Sequence, residues 1–192
     1  MFNKVLIHIL LITLPIPSLA QVSWGAKGGA SVTTLGTSNI YQPRLAYHAG
    51  LYYAQHLEDQ YGMQFELIYS LQGARVNNGA NGRLNYHYIT VPAVLKLYFK
   101  ETIYAEVGPQ IAYLLKATYK ETGFEEDRTS SVKKFDFLGL IGFGKDTDMG
   151  GSMGIRLGVG ATNPAGASVG NTFVPRNLFM QFYVALPINE FE

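Results

Sequence analysis

The chain has no cysteine among its 192 residues. That excludes a disulfide framework, thiolate metal ligands and a lipid-anchor cysteine behind a leader. Charge is also scarce: Asp, Glu, Lys and Arg make up 15% of the residues, against about 25% in ordinary soluble domains. Lys4 is the only charged residue in the first twenty, and beyond it basic and acidic side chains balance at 14 each. A neutral chain lacks the basic excess that nucleic-acid binding requires. Beyond the N-terminal region no apolar run reaches the ~20 residues that span a bilayer as a helix, and no stretch keeps a helical period.

Glycine and tyrosine are abundant, with 21 and 13 copies. The N-terminus reads "MFNKVLIHILLITLPIPSLAQVSWG". Lys4 supplies a positive start, Val5 to Leu14 an apolar stretch and Ser18-Leu19-Ala20 a small-residue cleavage site. Pro15 and Pro17 end the apolar run too early for a spanning helix. These features predict a signal peptide over 1–20, cleaved between Ala20 and Gln21, and one mature domain over 21–192.

Positions 63–73 read "MQFELIYSLQG", a strict alternation of oily and polar residues. Successive side chains of a strand leave opposite faces, so alternation marks an extended segment. The same period predicts eight strands, near 22–32, 45–56, 61–73, 85–99, 102–119, 135–144, 149–161 and 177–188. Tight connections at 58–60, 100–101 and 146–148 alternate with long polar loops at 33–44, 74–84, 120–134 and 162–176. Short turns at one end and long loops at the other describe an up-and-down outer-membrane barrel with periplasmic termini.

The oilier parity carries no charge in any predicted strand. Lys27, Glu66, Lys96, Glu106, Lys116, Asp136 and Arg156 all fall on the other parity. A lipid-facing Lys or Arg at the bilayer midplane costs ~2–4 kcal/mol, so exclusion from that face is expected. A soluble lipocalin-like barrel would segregate its residues in the same way and is the rival fold. The sparse charge of the polar parity, its Gly, Ser, Gln and Tyr content, and aromatics near strand ends favour the membrane. Pro92 and Pro109 lie inside strands of a ring with no free edge, which predicts a bulge or break beside each.

The segments "WGAKGGASVTTL", "FELIYSLQGARV", "YITVPAVLKLYF", "IYAEVGPQIAYLLKA", "FDFLGLIGFG" and "GIRLGVGATN" occur in this order. With them the chain resembles the PorT-like outer-membrane β-barrel proteins of Bacteroidota over its whole mature length. It departs from them at Phe65, where a proline usually precedes the glutamate, and in its ending "FMQFYVALPINEFE". The resemblance implies an eight-stranded antiparallel barrel in the bacterial outer membrane. It implies no activity, and membership does not make the chain a secretion-system component.

Seven charges on the lumenal parity predict a mutually neutralising plug, since an eight-stranded barrel is just wide enough to be filled by side chains. A proton or solute path is the alternative. His48, His56 and His87 lack metal-ligand spacing, and His48 is expected to be a lumen hydrogen-bonder. His87 with Ser70 is the nearest approach to a rim hydrolase, without supporting spacing. The expectation is therefore no catalytic, cofactor or metal site, and a monomeric envelope protein that is not an enzyme. Its partners would be outer-membrane lipids, lipopolysaccharide and an envelope protein met through the loops. A narrow transport pore, a type IX secretion-associated component and a lipid-modifying enzyme remain as alternatives.

Overall fold

Alternating side chains make each segment a ribbon with two unlike faces, and eight such ribbons close on themselves. The computed structural model describes residues 22–36, 40–58, 60–77, 82–148, 150–163 and 176–191. The leader, the Ala20/Gln21 cleavage site and most of the 162–176 loop lie outside the described residues. The strands are β1 (Val22–Leu35), β2 (Tyr41–Gln42), β3 (Arg44–Glu58), β4 (Tyr61–Val76), β5 (Gly82–Tyr98) and β6 (Ile103–Glu121). They continue with β7 (Phe124–Asp127), β8 (Phe135–Asp146), β9 (Ser152–Gly160) and β10 (Asn177–Phe191). A single 3-10 turn, Thr129–Ser131, follows β7.

The two short strands, β2 and β7, lie outside the ring and pair only with β4 and β6. The eight long strands pair antiparallel with their neighbours, and β1 closes on β10 from Val22↔Phe191 to Leu35↔Asn177. Closure satisfies the ladder without leaving an edge, which a lipid environment demands. Turns at one end join β3 to β4, β5 to β6 and β8 to β9. In barrels of this kind the short turns are periplasmic.

The predicted strands are found, but several run further towards the long-loop end. β4, β5 and β6 have 16, 17 and 19 residues, against 12 and 9 in β8 and β9. A tilted strand needs only ~9–11 residues to cross the hydrocarbon. The β4–β6 wall therefore stands well above the membrane, and much of the predicted 74–84 loop is ladder.

Of the bulge or break expected beside each proline, the structure has the break and no bulge. Pro92↔Gln110 and Pro109↔Gly139 sit in registers that run straight past them. Each proline instead opens a short gap in one ladder. Beside Pro92 the β4–β5 ladder stops at Phe65↔Ala93 and resumes at Ile68↔Thr90 in the same register. The missing N–H costs bonds there and displaces nothing.

Register shifts fall elsewhere, at Trp24/Gly25, His56/Glu58 and His87/Tyr88, and the last of these moves a predicted site residue. His87 pairs with Lys116 but Tyr88 pairs with Leu114, so Leu115 is the extra residue. Below it Ala112 and Leu114 are buried in the lumen; above it Ala117 takes over. Leu115 and Lys116 both lie exposed on the outside. The assignment of Lys116 to the lumen is thereby corrected: one inserted residue reverses the parity of everything beyond it.

The outward parity is oily throughout the membrane-crossing region. Leu51, Phe65, Leu67, Val107, Ile111, Phe137, Ile141, Phe143, Leu157 and Val184 are all exposed. Towards the long-loop end this surface finishes in an aromatic girdle. Tyr47 lies 6.1 Å from Tyr69, and Tyr113 lies 5.2 Å from Phe135.

Candidate functional site

The lumen has two parts. Its waist holds charge, built from four strands. Glu66 on β4 and Arg156 on β9 face each other across the barrel. The guanidinium donates from Nη1 to Glu66 Oε2 at 2.9 Å and from Nη2 to Glu66 Oε1 at 2.8 Å. Its other edge serves Glu106 on β6, with Nε to Oε1 at 2.7 Å and Nη2 to Oε2 at 3.0 Å. Both carboxylates therefore receive paired, charge-assisted bonds, the geometry for which arginine is suited. Lys27 on β1 donates to Glu66 Oε1 at 2.8 Å, and Gln64 Nε2 adds a bond of 2.7 Å to that oxygen.

No side chain of the four charged residues is more than 1% exposed. Two cations face two anions, so the cluster is formally neutral. That balance is what makes burial tolerable, since a buried charge without a partner is very costly. Aromatic rings pack the rest: the Lys27 ammonium lies 3.6 Å from the Tyr183 ring centroid, and the Tyr183 and Tyr104 hydroxyls are 3.0 Å apart.

Gly142 lets the ions meet. It is the register partner of both Glu106 and Arg156 on the intervening strand β8. With no side chain on the lumenal face, the guanidinium reaches over it. A Cβ there would stand 2.7 Å from Glu106 Oε1.

The remaining lumenal charges sit apart. Lys96 is buried near the turn end, 3.9 Å from Asp146 and over the Tyr104 ring at 4.2 Å. Tyr98 also donates to Asp146 at 2.9 Å. Lys96 and Asp146 border a cleft of about 300 Å³ at the periplasmic mouth, together with His56, Tyr52 and Ser152. Asp136 is buried towards the long-loop end, where Asn177 Nδ2 donates to it at 2.6 Å and the Thr162 hydroxyl also bonds it. Of the seven predicted lumenal charges, the waist thus unites Lys27, Glu66, Glu106 and Arg156. Lys96 and Asp136 have separate partners, and Lys116 is outside.

Above the waist no ion pair follows in the lumen among the described residues, and buried polar side chains such as Thr33, Gln72, Thr90 and Gln110 share it with an apolar cluster. Leu35, Ala74, Leu84, Tyr86, Tyr88, Ala112, Leu114, Ala117, Leu138 and Phe179 form one buried cluster. Val132, from the segment after the 3-10 turn, closes it from above. Gly158 provides room for the Phe179 ring, which any Cβ at that position would strike. The polar filling expected for the lumen is found in both parts, with Ser70, Gln72, Gln110 and Gln181 all buried, and the apolar cluster is added to it where the strands rise above the bilayer. Leu114 shares the inward parity of Glu106, Tyr88 that of Lys96 and Phe179 that of Gln181, so their faces were readable from the strand period.

The histidines separate from any hydrolase geometry. His48 Nδ1 lies 2.9 Å from Ser31 Oγ inside the barrel. His87 Nδ1 lies 2.5 Å from the Tyr69 hydroxyl, whereas Ser70 is buried in the lumen, so the two lie on opposite faces of the sheet. Among the described residues, no three His, Cys, Asp or Glu side chains are grouped to hold a metal ion.

A closed antiparallel ring, oily outside and ion-paired within, defines an integral β-barrel protein of the bacterial outer membrane. The chain belongs to the outer membrane protein beta-barrel domain family, whose family model matches residues 17–190. Among solved structures it is similar to Ail, the attachment invasion locus protein of Yersinia pestis. The TM-score is 0.53 at 11% identity, over 88% of this chain and 100% of that one. It is also similar to Neisserial surface protein A (NspA), with a TM-score of 0.57 at 11% identity, over 86% and 97% of the two chains. At such identity the likeness concerns the fold. No protein of curated function matches the sequence.

Proposed function

We propose that this protein is a closed, non-conducting barrel whose role is structural and interactive, exercised at the outer surface of the cell envelope as a monomer. The observation that carries this reading is the double seal of the lumen. An ion cluster with side chains no more than 1% exposed fills the waist, and an apolar core lies above it. A conducting path would have to break both. Neither seal holds an arranged nucleophile and base, so the reading is of a protein that is not an enzyme. Partners are outer-membrane lipids, lipopolysaccharide and an envelope protein met through the surface loops.

Planar-bilayer recording tests it. The purified barrel should insert and give no discrete conductance steps; reproducible steps at neutral pH would replace the seal by a narrow transport pathway. A second reading rests on the "ELIYSLQGA" and "VPAVLKLYF" strands, which resemble PorT-like proteins. It makes the barrel a secretion-associated membrane component. Mild crosslinking in whole outer membranes distinguishes the two, since only the second expects a stable complex with secretion machinery.

A further inference from the structure

The tall β4–β6 wall carries cations on its outer face just above the aromatic girdle. Arg75 and Arg83 are direct register partners, and Arg83 is in turn the partner of Lys120. Directly opposed residues on adjacent strands have Cβ atoms about 4.5–5.5 Å apart, and like charges so placed repel. Here three strands in a row present cations at one level. One step nearer the membrane, His87 is opposed by Lys116, and the His87 ring lies 6.0 Å from Tyr69 of the girdle.

These groups are exposed, and little offsets them. Lys120 is paired with Glu125 at 3.0 Å, both about half exposed. Among the described residues no carboxylate lies within ion-pair distance of Arg75, Arg83 or Lys116. The hairpin segment joining β4 to β5 reads "NNGAN" and contains no acid. Arg75, Arg83 and Lys120 also line one depression of about 640 Å³, with Gln42, Asn77 and Glu121. Opposed, unneutralised cations are unfavourable in isolation and become favourable when an anion sits between them. Along β4 and β5 they lie beyond the girdle residue Tyr69 and its partner Ile89, on the long-loop side, the direction in which the outer-leaflet headgroups follow the hydrocarbon.

We propose that Arg75 and Arg83, supported by Lys116 and Lys120, form a binding site for the phosphate of a phosphorylated glycolipid in the outer leaflet. The two guanidinium groups bond the phosphate oxygens, and the acyl chains lie along the apolar wall below, past Tyr69 and Ile89. The proposal rests on the surface role argued above and gives it a ligand class and an address.

The test uses the full mature barrel refolded in neutral detergent, with diphosphoryl lipid A, the same lipid dephosphorylated, and inorganic phosphate as probes. Native mass spectrometry measures retention. Wild type should retain the diphosphoryl form at least about tenfold better than R75Q/R83Q, since each cation near an anionic surface is worth about 1 kcal/mol. Dephosphorylated lipid should not distinguish the two proteins. Equal retention of the diphosphoryl form by both would overturn the site, and so would wild-type preference for the dephosphorylated lipid. Inorganic phosphate binding as tightly as the lipid would overturn the glycolipid assignment. Heat-modified gel migration verifies that the variant is folded, and R75K/R83K, which keeps the charge, should retain most of the binding. Conductance reports separately: a barrel that conducts yet prefers the phosphorylated lipid keeps this site and loses only the sealed lumen.

Discussion

The membrane-embedded half of the barrel and the half that rises above it use the same backbone with opposite chemistry. Below the girdle, Phe65, Leu67, Val107 and Ile141 face outward while Glu66, Glu106 and Arg156 face in. Above it, Arg75, Arg83 and Lys116 are exposed while Ala74, Leu84 and Leu114 are buried. The lower half is inside-out because hydrocarbon surrounds it; the upper half is ordered like a water-soluble barrel because water does. The strand period is constant, and only the solvent changes. Cohesion therefore comes from ion pairing in one half, and in the other from an apolar cluster with hydrogen bonds such as Thr33 to the Gly73 carbonyl and Asn177 to Asp136.

The two halves should fail differently, and the charged one more severely. Arg156→Met removes one guanidinium and strands the buried carboxylate of Glu106, since Lys27 reaches only Glu66. Breaking a buried pair from one side typically costs about 3–5 kcal/mol. Urea unfolding of the barrel in lipid vesicles should show a loss of that size. A loss under about 1 kcal/mol would mean that water enters the waist, and the division between the halves would fail.

In the apolar half the corresponding deletion is Leu114→Ala. Leu114 is fully buried in the upper cluster. A cavity there should cost about 3 kcal/mol, within the range for buried leucine truncations. The same titration measures it. The loss should be insensitive to ionic strength and should leave the waist intact. A neutral result would show that the upper lumen is loosely filled, and that the seal rests on the ions alone.

Much of this was legible in the sequence, for a physical reason. Period-two alternation and the exclusion of charge from one parity are dictated by lipid, so the strands, the ring and the inward positions of Lys27, Glu66, Glu106 and Arg156 could be read directly. The fate of Lys116 could not. Leu115 looks like any other oily strand residue, and only the pairing of β5 with β6 reveals that it is the extra one. Pro92 and Pro109 looked like sites of disruption, yet their ladders tolerate a missing donor without a register shift. The apolar cluster of the upper lumen was hidden for a related reason. Parity says which residues share a face, while the position of the water boundary along the strand decides what that face should be. Tyr183, which packs on Lys27, carried a usable signal, since it shares the inward parity with Gln181 on β10.

A smaller perturbation tests how the waist is assembled. Gly142→Ala leaves every charge in place and adds one methyl group, 2.7 Å from Glu106 Oε1 where no space exists. Either the Glu106 side chain or the Ile155 carbonyl, 2.6 Å from the same Cβ, must shift. Overpacking of this kind costs about 1–3 kcal/mol. Gly139→Ala, on the outward face where an added Cβ meets nothing within 4 Å, is the control and should be close to neutral. Equal unfolding midpoints for the two variants would show that the Glu106–Arg156 contact does not depend on the glycine between them.

The smallest expected effect separates the halves most cleanly, because it compares two lysines that sequence parity placed together. Lys27 is buried in the waist and bonded to Glu66, whereas Lys116 is exposed beside the Leu115 bulge. Lys116→Ala should change stability in neutral detergent by no more than about 0.5 kcal/mol, as for surface positions generally. Lys27→Ala should cost several times that, since it leaves a cavity and withdraws one of the two cations that balance the waist. Both variants keep their strand ladders, so the difference reports location alone. If Lys116→Ala proved as damaging as Lys27→Ala, the bulge would be absent in the membrane. Lys116 would then point into the lumen, and the inversion of parity that gives the upper wall its cations would not occur on β6.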